Sequence, residues 1–158
     1  GAARPGHLRA VATVCLKLFN IIRPARAYFG QKDAQQAAVV TRMAADLDLE
    51  IEIRVVPTVR DEDGLALSSR NARLSPEQRA VALALPRALA AGAAAGRDGG
   101  SAVDTARSML EAAEGLEIDY VEEARLNATR LLLAAVTVGG TRLIDNVPLA
   151  HRETERSP

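Results

Sequence analysis

The chain holds 158 residues with zero formal net charge, 48% hydrophobic and 3% aromatic side chains, and one cysteine, Cys15. That is long enough for one or two units with a real core and too apolar for a disordered chain. No apolar run reaches the length of a membrane span and no secretory signal is visible. No intrachain disulfide can form, and two distant histidines with one cysteine do not make a structural zinc site. A lone cysteine points to a reducing cytoplasm.

The charge is unevenly spread. Residues 1–73 hold 11 basic and 8 acidic side chains, residues 74–158 hold 9 and 12, and six basic residues (Arg4, Arg9, Lys17, Arg23, Arg26, Lys32) precede the first acid, Asp33. That suits a small anionic ligand near the front. A nucleic-acid partner is not expected, because it calls for a denser basic stripe and stacking aromatics. Arginine outnumbers lysine 18 to 2. This looks like a compositional bias, so a surface arginine alone carries little weight.

In chain order, His7–Ile22 has the spacing of a helix, with Leu8, Val11, Ala12, Cys15, Leu18, Phe19 and Ile22 on one face. Val14, Leu16 and Ile21 extend its apolar surface, as in a helix covered on most sides, and Pro24 stops it. Arg26–Phe29 is a short strand broken by Gly30. Asp33 can cap a helix to about Leu47, and Glu50–Val56 is a second strand ended by Pro57. This alternation predicts a parallel α/β sheet. Two strands are few for such a sheet, so residues 1–73 are expected to be the back half of a larger doubly wound domain. Ser75-Pro76-Glu77-Gln78 then opens a helix with a capping box, running to about Ala95 with a kink or break at Pro86. Ser101–Ala113 is the next helix, with Val103, Ala106, Met109 and Leu110 on its apolar side. Three strands follow, Leu116–Glu122, Arg130–Val138 and Thr141–Val147, the last two joined at Gly139-Gly140. The resulting division is 1–73, 74–150 as a smaller α+β unit, and a charged tail over 151–158.

Two stretches can carry chemistry. In Phe29-Gly30-Gln31-Lys32-Asp33-Ala34-Gln35-Gln36 a strand ends where a helix begins, and the carboxyl ends of strands border the ligand crevice in open α/β sheets. Lys32 adds a cation there, or is an ordinary surface lysine. Asp33 is an N-cap, a site residue, or both. Gln36 shares a stripe with Val40, Met43 and Leu47 and should point inward, either to a capping box with Asp33 or to a polar ligand. In Asp63-Gly64-Leu65-Ala66-Leu67-Ser68-Ser69-Arg70-Asn71, two hydroxyls and a guanidinium suit a phosphate, though a solvated turn has the same composition. Arg4 and His7 flank the start of the first helix. Cys15 lies on the apolar stripe as a small core residue, and His151 is assigned nothing.

Those two stretches, with Arg4-Pro5-Gly6-His7, Lys17-Leu18-Phe19-Asn20, Val56-Pro57-Thr58-Val59-Arg60 and Thr141-Arg142-Leu143-Ile144-Asp145-Asn146, closely resemble the pantothenate synthetase (pantoate–β-alanine ligase) family. The likeness covers nearly the whole chain and corresponds to about the second half of a family member. It implies the back half of a nucleotidyltransferase-type Rossmann domain, followed by a small α+β domain with an antiparallel sheet that acts as a lid. It also implies ATP- and Mg2+-dependent joining of pantoate to β-alanine through a pantoyl adenylate, in a cytoplasmic homodimer.

By that resemblance Phe29, Gly30, Gln31, Lys32, Asp33, Val59, Leu67, Ser68, Ser69 and Arg70 bind ATP, and Gln36 binds pantoate. Lys32, Ser68, Ser69 and Arg70 stabilise the charge that builds on phosphate. Gln31 and Ala34 stand where the family commonly has Glu and an aromatic residue, and the match weakens after Tyr120. The family's front-half elements, including a paired-histidine motif and the magnesium-side acid, have no counterpart here, so the isolated chain is expected to be inactive. A non-catalytic, self-associating fragment and another adenylyl- or cytidylyltransferase are the alternative readings.

Overall fold

A computed structural model describes residues 6–150; Arg4 and His151 lie outside them. The chain divides into two compact units, Gly1–Pro57 and Thr58–Pro158. The division falls earlier than residue 73, because the segment after Pro57 is built into the second unit. Leu65 and Ala66 are buried there, and Arg60 pairs with Asp145.

The first unit is α/β. Helix α1 spans His7–Ile22, and its end is set by Arg23, which turns left-handed (φ 51°) before Pro24 and donates its N–H to the Phe19 carbonyl at 2.8 Å. Strand β1 (Arg26–Gly30) pairs in parallel with β2 (Glu52–Val56), so Phe29 lies opposite Val55 and Gly30 opposite Val56. Helix α2 (Ala34–Asp46) connects them. One helix and two strands offer little cover, and no residue of α1 is buried. Val14, Ile21 and Ile22 are exposed, as are Val55 and Val56. Cover of α1 on most sides is therefore not supplied within this unit. The buried stripe of α2 is Ala34, Ala37, Val40 and Ala44, while Leu47 is exposed. That face is rotated from the predicted one, which leaves Gln36 half-buried at its border.

The second unit carries its own core. Helix α3 (Pro76–Ala82) opens with the predicted capping box. The Ser75 hydroxyl accepts from the Gln78 N–H at 3.2 Å, and the Gln78 side chain accepts from the Ser75 N–H at 3.0 Å. The helix breaks at Leu83, and α4 runs over Ala84–Arg97. Pro86 thus sits in the first turn of α4, where its missing N–H does least harm, rather than at the break itself. Helix α5 (Ala102–Glu111) buries Ala102, Ala106 and Leu110; Met109 is exposed, contrary to the predicted face. The chain then forms an antiparallel sheet in the order β3 (Leu116–Leu126), β4 (Thr129–Val138), β5 (Thr141–Pro148). Strand β3 runs further than predicted because Asn127 adopts a left-handed φ of 55°, giving a two-residue turn into β4. The Gly139-Gly140 turn is as predicted, with φ of 54° and 75°, angles that L-residues resist at two consecutive positions.

One face of this sheet packs on α4 and α5. Leu132, Ala134, Val136 and Leu143 join Leu85, Leu89 and Leu110 in a single cluster. The α4–α5 crossing depends on Gly92. A Cβ there would lie 2.5 Å from the Ala102 carbonyl oxygen, 2.7 Å from Leu132 Cδ2 and 3.0 Å from Ala106 Cβ. The backbone oxygen cannot swing aside. Gly92→Ala is therefore expected to lower unfolding free energy by about 1–3 kcal/mol in urea titration, despite alanine's better helix propensity. An unchanged midpoint would show that α4 and α5 can part without loss.

Candidate functional site

The candidate residues fall in both units. In the first, β1 delivers Phe29 and Gly30 to its carboxyl end. A single 3₁₀ turn over Gln31–Asp33 then feeds α2. Phe29, Gln31 and Lys32 are half-buried, Gly30 and Asp33 exposed. Asp33 occupies the N-cap position of α2, yet its side chain makes no cap hydrogen bond. Of the two readings of Gln36, the capping box with Asp33 is not formed, and Asp33 is exposed. Ala34 is buried, so the small residue at this position packs against the unit. Gly30 has φ −73° and ψ 134°, ordinary extended backbone, and a Cβ built on it meets no atom within 4 Å. Neither backbone strain nor crowding calls for glycine here. On the neighbouring helix, His7 is half-buried, and partial burial pushes the Cys15 thiol above its ordinary value, which disfavours a reactive thiolate.

In the second unit, residues 59–67 fold back on themselves. The Leu67 N–H donates to the Val59 carbonyl at 3.0 Å and the Asp61 N–H to the Leu65 carbonyl at 2.8 Å, with a bridge between Arg60 and Ala66. Two predicted residues apart in sequence, Val59 and Leu67, are thereby held side by side, and both present exposed apolar side chains. Ser68 follows in an extended conformation. Its hydroxyl accepts from the Arg70 N–H at 3.2 Å, and Ser69–Arg73 form a short 3₁₀ helix. The stretch read as irregular loop therefore ends in helical structure. Ser69 is exposed. Arg70 Nη1 donates to the Arg142 carbonyl of β5 at 3.1 Å, leaving the other guanidinium N–H groups for further acceptors.

Sequence reasoning assigned no role to the residues that hold this segment. Arg60 grips Asp145 in a two-point pair, Nη1 to Oδ2 at 2.6 Å and Nη2 to Oδ1 at 3.1 Å, and Nη1 also donates to the Gly64 carbonyl at 3.1 Å. The Asp145 side chain is 1% exposed. Arg79 of α3 forks between Asp61 (2.6 Å) and Asp63 (2.8 Å). That fork, with the Leu65 N–H, holds the Asp63 carboxyl below the usual carboxylate range. The stabilisation is thus present at neutral pH and fades as pH falls through the lowered value. Asn71 Nδ2 donates to the Ala66 carbonyl at 3.1 Å. One signal was available in the sequence: Asp145 sits in the apolar strand Thr141–Val147, where an acid needs a partner.

The profile of the family described as Pantoate-beta-alanine ligase matches residues 1–148. Among curated proteins, the chain is 50% identical to the pantothenate synthetase of Corynebacterium glutamicum, over 94% of the chain and 58% of that protein. It is 54% identical to that of Rhizorhabdus wittichii, over 93% and 56%. The crystal structure of pantothenate synthetase from Thermus thermophilus superposes with a TM-score of 0.88 at 43% identity, covering 93% of this chain and 58% of that one. A Francisella tularensis pantoate-beta-alanine ligase, complexed with beta-gamma ATP and beta-alanine, gives 0.73 at 30% identity, covering 94% and 52%. The chain spans little more than half the length of these relatives.

The open surroundings of Gly30 yield a test that needs no ligand. Gly30→Ala is expected to shift unfolding free energy by no more than about 1 kcal/mol, towards greater stability if at all. A loss above about 2 kcal/mol in urea titration would show that glycine is needed by the fold.

Proposed function

The chain belongs to the pantoate–β-alanine ligase family, and from that premise we propose that it forms part of an enzyme condensing pantoate with β-alanine at the expense of ATP. The observation that carries the proposal is the family match over residues 1–148 together with the placement of Gly30–Asp33 at the carboxyl end of a parallel strand. In the proposed reaction, pantoate's carboxylate attacks the α-phosphate of ATP, pantoyl adenylate forms and pyrophosphate leaves. The β-alanine amine then attacks the acyl carbon and AMP departs.

Each unit is assigned its own contacts. In the first, Phe29, Gly30, Gln31, Lys32 and Asp33 take ATP and Gln36 takes pantoate. In the second, Val59 and Leu67 offer apolar surface to the nucleotide, and Ser68, Ser69 and Arg70 take its phosphates. Negative charge grows on oxygens that are already anionic, so the Lys32 ammonium and Arg70 guanidinium supply most where they are held ready before the reaction. No side chain serves as a covalent nucleophile. The smaller α+β part, residues 74–150, is proposed to serve as a lid.

Magnesium accompanies ATP in this reading. Among the described residues no group of three or more His, Cys, Asp or Glu side chains is placed to hold a metal ion. The resemblance places the magnesium-side acid in the family's front half, so no side chain of this chain is assigned to the ion. A cytoplasmic homodimer is part of the same proposal; the single cysteine supports the reducing compartment. No helix among the described residues is long and apolar enough to cross a membrane.

The exposure of Val14, Ile21, Ile22, Val55 and Val56 favours a second reading, in which this chain on its own self-associates through the first unit. Chromatography with light scattering tests this second reading, since a monomer at micromolar concentration removes it. In the whole enzyme, Lys32→Ala is expected to lower ATP- and β-alanine-dependent pantothenate formation by about 10²–10³-fold. Unchanged turnover would remove Lys32 from the site.

A further inference from the structure

We infer that Arg60 and Asp145 are positioning residues for the Leu67–Arg70 segment, setting where its hydroxyls and guanidinium stand. The inference rests on the reading of that segment as the one that takes phosphate. Strand β5 provides both fixed points. Asp145 holds Arg60, and with it the start of the folded-back stretch 59–67. Elsewhere on the same strand, the Arg142 carbonyl holds Arg70 at the far end of the candidate segment. Among the described residues strand β5 pairs only with β4, so its other edge has carbonyls available for such a contact.

Between the two points little freedom remains. Arg60 closes on Gly64, Leu67 is bonded to Val59, and Leu65 and Ala66 are buried, so the backbone entering Ser68 has a fixed origin. Asp145 is fixed in turn. Its Oδ1 accepts the Asn146 N–H at 2.8 Å as well as Arg60 Nη2, and Oδ2 takes Arg60 Nη1. A planar guanidinium matched to a carboxylate at two points fixes angle as well as distance, which a lysine ammonium does not. Neither residue is assigned a contact with substrate; both act through Ser68, Ser69 and Arg70.

The test compares the native 158-residue chain with Arg60→Lys, which keeps the charge and loses the fork. It also uses the double variant Arg60→Met/Asp145→Leu, which replaces a buried ion pair by apolar groups, a change proteins often tolerate. Amide hydrogen exchange is read at Leu67 and Asn71 and, as the internal standard, at Ala134 and Val136 of β4. The expected result is exchange at least about tenfold faster at Leu67 and Asn71, with the β4 amides unchanged, in both variants. Parallel acceleration at all four amides, or unfolding of both variants, would overturn the inference, because the pair would then serve the whole unit. Unchanged exchange at Leu67 and Asn71 would overturn it equally. A separate titration of the native chain with inorganic pyrophosphate, followed at the Ser68–Arg70 amides, tests the reading beneath it. No shift there removes the phosphate role, and the purpose given to the pair, while the exchange data still decide whether the pair holds the segment.

Discussion

A carboxylate with 1% of its side chain exposed lies on the sheet face that packs against two helices. The antiparallel register sets Asp145 opposite Ala134, on the same face as Leu132, Val136 and Leu143. An unpaired charge there is not tolerable, and removing one member of such a pair typically costs about 3–5 kcal/mol. Arg60 is therefore required at that spot, and whatever is attached to Arg60 is required to be near it. The placement of residues 58–73 follows from this: the folded-back hairpin, the Arg79 fork on Asp61 and Asp63, and the 3₁₀ helix that carries Arg70 are arranged around a stretch that cannot drift away from β5.

The two units contrast in self-sufficiency. The second has two packed layers, helices on one sheet face, with a continuous apolar cluster between them. The first has a two-stranded parallel sheet whose apolar residues are largely in contact with solvent, and a helix with no buried residue. Parallel sheets are normally covered on both faces. The half of the candidate chemistry that sits at the end of β1 is thus carried by the thinner structure, and the half on residues 67–70 by the thicker one.

Much of this was legible in the sequence. The bounds of α1, the capping box of α3, the Gly139-Gly140 hairpin and the strand–turn–helix at Phe29–Asp33 all rest on local chemistry, and local chemistry is what a sequence displays. Periodicity misled where helical faces had to be chosen. Apolar residues at Leu47 and Met109 suggested burial, whereas the closest packing is made by alanines and Gly92, whose small size allows neighbours to approach. Asp33 looked like a cap because of its residue type, but a 3₁₀ turn precedes the helix and orients the side chain elsewhere. Arg60 and Asp145 lay within matched motifs and still had no role, since their meaning depends on a contact across 85 positions.

That separation has a consequence for how the chain folds. Side chains alternate faces along a strand, so a slip of β5 by one residue would bring Arg142, Ile144 and Asn146 into the helix-facing layer and turn Asp145 out of Arg60's reach. Apolar content alone separates the two registers weakly, since Leu143 and Val147 share their face with an acid and Ile144 shares its own with an amide. The ion pair widens the gap, acting as a proofreading step that only one register passes. Closing a loop of 85 residues carries an entropic penalty of about 4 kcal/mol, so the check comes late, after the hairpin exists. A misregistered molecule would have a sheet but no ordered 58–73 segment, and ordering of the candidate phosphate residues would report that β5 had been placed correctly.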